Sequence, residues 1–318
     1  MSGAVGPPAR WARRGARALG WRIVGPRLAY LLHTRPAEWP IVAAHATLGW
    51  VLAVGLGEAL RGARFGAAAL GIGAWVVGLN GGTLAINSAF DRDDGDIAYL
   101  RDPPPPPARL FWFGLSLMAA GQVVALWLPR AFALAYALCF GLSLLYSVPP
   151  VRLKAVPGAD WLINMWGFGT LTPFAGWATT GIPVDPARGL VLLAFCPLFA
   201  ALYPLTQLYQ MDEDRRRGDR TLALYLGRER SLRVAAACAA LAFALFAAGG
   251  VRAGWRADPA HLARWIGLGA AGAAWAAVLG RWLLAGSRWS AADDQRGMYR
   301  ALAAWAVTDL VVALAWGG

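Results

Sequence analysis

Four aspartates fall within six positions of the stretch NSAFDRDDGD, residues 87–96: Asp91, Asp93, Asp94 and Asp96. Like charges this close repel one another, so the cluster calls for a cation. A second stretch, QMDEDRRRGD at 210–219, echoes the first. At a shift of 123 residues Asp91 meets Asp214, Arg92 meets Arg215, Gly95 meets Gly218 and Asp96 meets Asp219. Asn87 meets Gln210, another side-chain amide, and Thr83 meets Thr206. Helical spacing puts Thr83, Asn87, Asp91 and Asp94 on one face, and Thr206, Gln210 and Asp214 on another, with Tyr203 and Gln207 close by. Carboxylates with an amide are hard oxygen ligands. They suit Mg²⁺, which takes one or two carboxylates and completes its octahedron with water and phosphate oxygens. Two such clusters would let two or more ions clamp one polyphosphate. The competing reading is a solvated acidic loop neutralised by its neighbours. Arg215, Arg216, Arg217 and Arg220 flank the second cluster in that way, whereas the first has only Arg92. Gly95 and Gly218 are placed to end each helix and turn Asp96 and Asp219 back toward the metals.

The elements that must hold these groups are membrane helices. The chain has 318 residues, 58% hydrophobic and only 15% charged, with a mean hydropathy of +0.45. A soluble chain of this size would be about a quarter charged. The apolar residues form nine blocks of about 20 residues, the length that crosses a bilayer: 39–60, 64–90, 110–128, 131–148, 159–180, 189–210, 232–249, 263–284 and 298–316. This is an all-α polytopic membrane protein: one domain, 39–318, preceded by a basic arm, 1–38. The arm has no cleavage-site pattern and reads as an interfacial helix.

The net charge of +12 lies in the segments between blocks, so it sets orientation and does not mark a nucleic-acid partner. With the N-terminus inside, 23 of the 30 Lys and Arg residues fall on the inner side and 7 on the outer. That predicts a C-terminus outside, in a bacterial inner membrane. Both acidic stretches then end an out-to-in span and face the same compartment. Matched polar segments in two halves of a membrane protein point to one shared site. Cys139, Cys196 and Cys238 lie within spans, lack metal-ligand spacing and read as small buried hydrophobes. His33, His45 and His261 are scattered and suggest no cluster. Asp309 is the one charged residue expected deep within a span. The five prolines 103–107 read as a short polyproline II segment leaving the first acidic cluster.

These motifs resemble the UbiA family of intramembrane prenyltransferases, which has nine helices and an aspartate-rich motif at the inner ends of spans 2 and 6. Asn87 and Asp91 match the first motif, NDxxDxxxD, while Ser88 replaces its first Asp and Gly95 its last. The role of that last Asp passes to Asp94, with Asp96 second. The second motif is similar to DEDRRRGDRTLALYLG, which supplies Asp212, Asp214 and Asp219, although its acid spacing departs from the family's DxxxD. A third stretch, YSVPPVRLK from Tyr146 to Lys154, resembles the family's YSxPPxRxK loop. Lys154 is the only lysine of the chain, a compact cation where a departing phosphate would need one. Arg152 is a similar candidate.

The resemblance implies Mg²⁺-dependent transfer of a prenyl group from an allylic diphosphate to a lipophilic, by default aromatic, acceptor. Ionisation would leave an allylic cation that aromatic faces can stabilise. Tyr146, Trp166, Phe168, Phe174, Tyr203 and Tyr209 lie in the right spans. Asn87, Gln210, Asn164 and Tyr209 are candidate substrate contacts. A terpene cyclase would carry the same motifs, and a transporter with a central ion site would also show repeated halves and intramembrane polar groups. Acceptor, chain length and oligomeric state are not legible in the motifs.

Overall fold

The computed structural model describes residues 16–91, 100, 102–217 and 220–318. Their regular structure is helical. Nine helical segments build the bundle: α1 (Trp39–Val54), α2 (Phe65–Phe90), α3 (Leu110–Ala125), α4 (Arg130–Ser147), α5 (159–178), α6 (Pro186–Leu208), α7 (Arg228–Arg252), α8 (Pro259–Ala285) and α9 (Ala291–Trp316). Six of them, α2, α4 and α6–α9, are long and apolar enough to cross a membrane. Helices α1 and α3 are apolar but shorter, and α5 is interrupted.

The departures from the apolar blocks have local causes. Helix α1 stops at Val54 rather than near residue 60 because Gly55 takes a positive φ of 86°, a conformation open to glycine at little cost. Helices α8 and α9 begin several residues before their apolar blocks. Their polar first turns are held by N-caps: Asp258 accepts from the His261 amide, and Ser290 and Asp293 form a reciprocal capping box. Before α1, the chain forms helices Ala16–Val24 and Leu28–His33, with Leu19 and Ile23 exposed. Near this arm the His33 ring meets the Pro104 carbonyl at 3.0 Å.

Two large apolar cores run through the bundle, with a smaller one around Trp50 and Ala68. One joins α2, α3 and α4 around Trp75, Met118, Phe132 and Tyr136. The other packs α6–α9 around Phe195, Phe246, Trp275 and Trp282. Helices α1 and α5 contribute to both: Val42 and Ala175 lie in the first core, Leu48 and Trp177 in the second. These two helices cross backbone to backbone. A Cβ on Gly49 would overlap the Pro173 carbonyl, and one on Gly176 the Ala46 carbonyl. Small residues allow this close approach in lipid, where dispersion must do what the hydrophobic effect does in water.

Two helices carry π-helical stretches, Ala74–Gly81 in α2 and Met165–Leu171 in α5. Such insertions break the regular hydrogen-bond ladder and frequently mark functional sites. Both contribute to the walls of the cavity described next.

Candidate active site

A cavity of about 420 Å³ opens within the bundle. Trp75, Leu79, Cys139, Phe168 and Phe199 give it apolar walls, and Trp75 donates to Thr172 Oγ1 at 3.3 Å. Asn87, Tyr146, Asn164, Tyr203, Thr206 and Tyr209 form its polar end. Arg35 and Glu38, just before α1, also line it, and so do Gln295 and Tyr299 of α9. Arg35 and Glu38 are paired at 3.5 Å. Burial pushes the Glu38 carboxyl above the usual carboxylate range, and Arg35 opposes that shift.

The polar end is built where α2 and α4 finish. Helix α2 ends at Phe90, and the Asp91 amide still bonds the Asn87 carbonyl at 3.0 Å, which keeps both side chains on one face. The loop after α4 returns to that face. Arg152 adopts a left-handed backbone with φ 37°, uncommon for a residue with a Cβ and typical of functional loops. Its Nη2 donates to Asp91 Oδ1 at 3.1 Å. Lys154 Nζ donates to Asn87 Oδ1 at 2.5 Å and also to Asp91 Oδ1. Ser147 Oγ donates to Asn87 Oδ1 at 3.4 Å. Two cations on one carboxylate oxygen make a charge-rich centre, poised to exchange partners when a polyanion arrives.

The second acidic stretch is arranged differently. The expected continuous stripe Thr206–Gln210–Asp214 is not carried by one helix. Helix α6 stops at Leu208 and a new helix runs Met211–Arg217. The turn tightens because the Gln210 amide bonds the Gln207 carbonyl at 3.1 Å, while the Thr206 hydroxyl takes the Tyr203 carbonyl at 2.7 Å. Asp214 is nonetheless 4% exposed and accepts from Thr221 Oγ1 at 3.4 Å. The Asp212 side chain is 81% exposed and pairs with Arg215 at 2.7 Å, so it stands apart from Asp214. Gln210 Nε2 donates to the Tyr209 hydroxyl at 2.8 Å. Asp94, Asp96 and Asp219, and with them the expected glycine turns at 95 and 218, lie outside the described residues.

Of the aromatic candidates, Tyr146, Phe168, Tyr203 and Tyr209 line the cavity, and Phe168 stacks on Phe199 with centroids 5.4 Å apart. Trp166 is exposed on the outside of the bundle and Phe174 packs into the cores. Asn164 lines the cavity and donates to the Asp160 carbonyl at 2.8 Å.

Among the described residues, no three His, Cys, Asp or Glu side chains converge as a preformed metal nest. The donors that are described, the Asp91 and Asp214 carboxylates and the Asn87 amide, are all hard oxygens. That chemistry fits Mg²⁺ and not a thiophilic ion.

The sequence matches the model of the UbiA prenyltransferase family over residues 44–306. The chain belongs to the UbiA family. Among solved structures, a UbiA homologue from Archaeoglobus fulgidus bound to GPP and Mg²⁺ is 21% identical, with a TM-score of 0.62, covering 89% of this chain and 99% of the other. The same homologue bound to DMAPP and Mg²⁺ aligns at 20% identity and TM-score 0.62, over 89% and 98% of the two chains. A digeranylgeranylglyceryl phosphate synthase aligns at 14% identity and TM-score 0.67, over 91% and 98%. At these identities the likeness shows the fold. No curated protein matches the sequence.

Two features of this UbiA protein escape motif reading. Asp160 is a buried carboxylate, 1% exposed, in the first turn of α5. By position it looks like an ordinary first-turn acid, so Asp309 is not alone within the bundle. His45 and Asp309, 264 residues apart, meet: His45 Nδ1 lies 3.1 Å from Asp309 Oδ2, and Nε2 lies 3.1 Å from the Gly169 carbonyl. Both ring nitrogens face oxygens, and these contacts tie α1, α5 and α9 together. No local signal links those two positions in sequence.

Proposed function

We propose that this protein transfers a prenyl group from an allylic (poly)prenyl diphosphate to a lipophilic, by default aromatic, acceptor inside the membrane. The observation that carries the reading is the Asn87–Asp91–Arg152–Lys154 cluster beside the polar end of an apolar cavity. Family membership supports it, as does the fold shared with a homologue solved with GPP and Mg²⁺.

Asp91 and Asp214, with Asn87, are the described residues proposed to hold Mg²⁺. Asp94, Asp96, Asp212 and Asp219 complete the set expected from sequence. When bound, the metal supplies Lewis-acid stabilisation of the diphosphate as its C–O bond breaks. The chain's own groups do the rest. Lys154 and Arg152 offer compact and forked cations to the oxygens where negative charge grows. The apolar walls exclude water from the allylic cation, and the faces of Tyr146, Phe168 and Tyr203 stabilise it. Gln210 acts through Tyr209, whose hydroxyl it holds, and Asn164 is placed to contact substrate.

The proposal includes nine spans, with α1, α3 and α5 joining the six longer helices, and inner placement of both acidic stretches. A reporter fused after Gly318 should then lie on the opposite side of the membrane from one inserted in the 211–230 segment; both on one side would defeat this topology.

The activity test uses protein in nanodiscs with C10 to C20 allylic diphosphates. Diphosphate release should require Mg²⁺ and stop with EDTA, and an aromatic acceptor should become prenylated. Release with a cyclic hydrocarbon product and no acceptor would instead identify a cyclase. No release from any of these substrates would overturn the reading.

A further inference from the structure

Asp160 is surrounded by neutral donors. Its Oδ1 accepts from the Gly158 amide at 2.9 Å, and its Oδ2 from the Tyr203 hydroxyl at 3.1 Å and Gln207 Nε2 at 3.3 Å. Gln207 is committed on its other side, where Oε1 accepts from the Ala223 amide at 3.1 Å. No Lys, Arg or His pairs with Asp160 among the described residues. A carboxylate taken out of water without a counter-cation is costly, and inside membrane bundles such groups mark function. A neutral amide has a single acceptor oxygen and would turn its NH2 group on one of these two donor sets, so the site is built for a group that accepts on both sides.

Tyr203 connects this carboxylate to the cavity. The residue lines the cavity while its hydroxyl donates to Asp160 Oδ2, so toward every other group its oxygen is an acceptor. The Tyr146 hydroxyl lies 3.5 Å from that of Tyr203. Asp91 ends α2 and takes its cations, Arg152 and Lys154, from the loop after α4; the same loop runs on through Gly158 into Asp160, whose described partners are neutral donors.

We infer that Tyr203 and Asp160 form a proton-accepting relay for the acceptor half of the reaction, an inference that rests on the prenyl-transfer reading above. The acceptor's π electrons form the new C–C bond to the allylic carbon, leaving a cation on the acceptor. The C–H bond at the attacked carbon then breaks, and its electron pair restores the π system. Its proton goes to the Tyr203 oxygen as Tyr203 passes its own proton to Asp160 Oδ2. The carboxylate becomes a carboxylic acid and nothing is oxidised or reduced. The acid returns its proton through Tyr203 to water that enters when product leaves. Tyr203 is the catalytic residue of the pair. Asp160 acts through it by holding the proton.

The test compares Asp160→Asn and Tyr203→Phe with wild type in nanodiscs, using an allylic diphosphate, an aromatic acceptor and that acceptor deuterated at the attacked carbon. Two quantities are read: diphosphate released, and prenylated acceptor formed per diphosphate released. The second is the deciding quantity, because Tyr203 also faces the allylic cation and its replacement acts on release as well. The product ratio should fall at least tenfold, with prenyl alcohol appearing from water capture. A deuterium isotope effect on product formation should emerge as proton loss becomes slow. Tyr203→Phe leaves Asp160 its bonds to Gly158 and Gln207, so it guards against misfolding of the first variant. Wild-type product ratios without an isotope effect in both variants would overturn the relay and leave the diphosphate as the base. An equal fall in release and product in both folded variants would also overturn it, making Asp160 a support for the cavity wall. If wild type itself releases no diphosphate, the underlying prenyl-transfer reading fails instead.

Discussion

The two acidic stretches match at Asp91/Asp214, Arg92/Arg215, Gly95/Gly218 and Asp96/Asp219 at a shift of 123 residues, yet the described residues of each have unlike surroundings. Asp91 and Asn87 are tied to the loop after α4, through Lys154 and Arg152. The second stretch is tied to the segment that follows it: Thr221 bonds Asp214, and Gln207 holds the Ala223 amide. The first amide, Asn87, accepts from a cation, while its counterpart Gln210 donates to a tyrosine hydroxyl. A repeat in sequence therefore need not be a repeat in chemistry. Among the described residues, the first half presents one carboxylate, Asp91, already matched by cations. The second buries one acid, Asp214, and turns another, Asp212, out to an arginine.

If both halves hold metal despite these differences, Asp91→Ala and Asp214→Ala should each cut single-turnover diphosphate release by about 10³-fold or more, since each removes a ligand that steadies charge in the transition state. Near-normal release in either folded variant would break the symmetry outright and assign the metal to one half.

The next effect belongs to the first half alone. Lys154→Ala should lower the rate by about 10²-fold, the usual cost of losing one preorganised charge-stabilising donor. Lys154→Arg should recover part of that loss, because a planar guanidinium fits the Asn87–Asp91 corner differently from an ammonium. An unchanged rate in Lys154→Ala would shift the role to Arg152.

The smallest effect is expected in the second half. Asp212→Asn removes an exposed pair with Arg215, and exposed pairs contribute little. Its release rate should stay within about twofold of wild type. A fall comparable to that of Asp214→Ala would mean that Asp212 turns inward when substrate binds, and the two halves would then be more alike than the structure indicates.

The sequence by itself determined the membrane class, the approximate placement of the helices and the residue types of the proposed reacting end. Apolar blocks, caps and helical spacing are local, and local regularity is what a linear reading captures. Asn87 and Asp91 share a face because four residues make about one helical turn. Proximity between distant segments was decided only by tertiary structure. Lys154 meets Asp91 because the loop after α4 folds back on the end of α2. Asp160 became a buried group of interest because Tyr203 and Gln207 of α6 close over it. His45 and Asp309 pair because α9 packs beside α1. Asp214 leaves the phase of Thr206 because the chain turns at Tyr209–Gln210 and starts a new helix, and Asp212 parts from Asp214 because residues two apart on that helix point to opposite sides. Periodicity carries a side chain's direction only as far as its helix continues; beyond that break, packing between segments far apart in sequence decides what each residue meets.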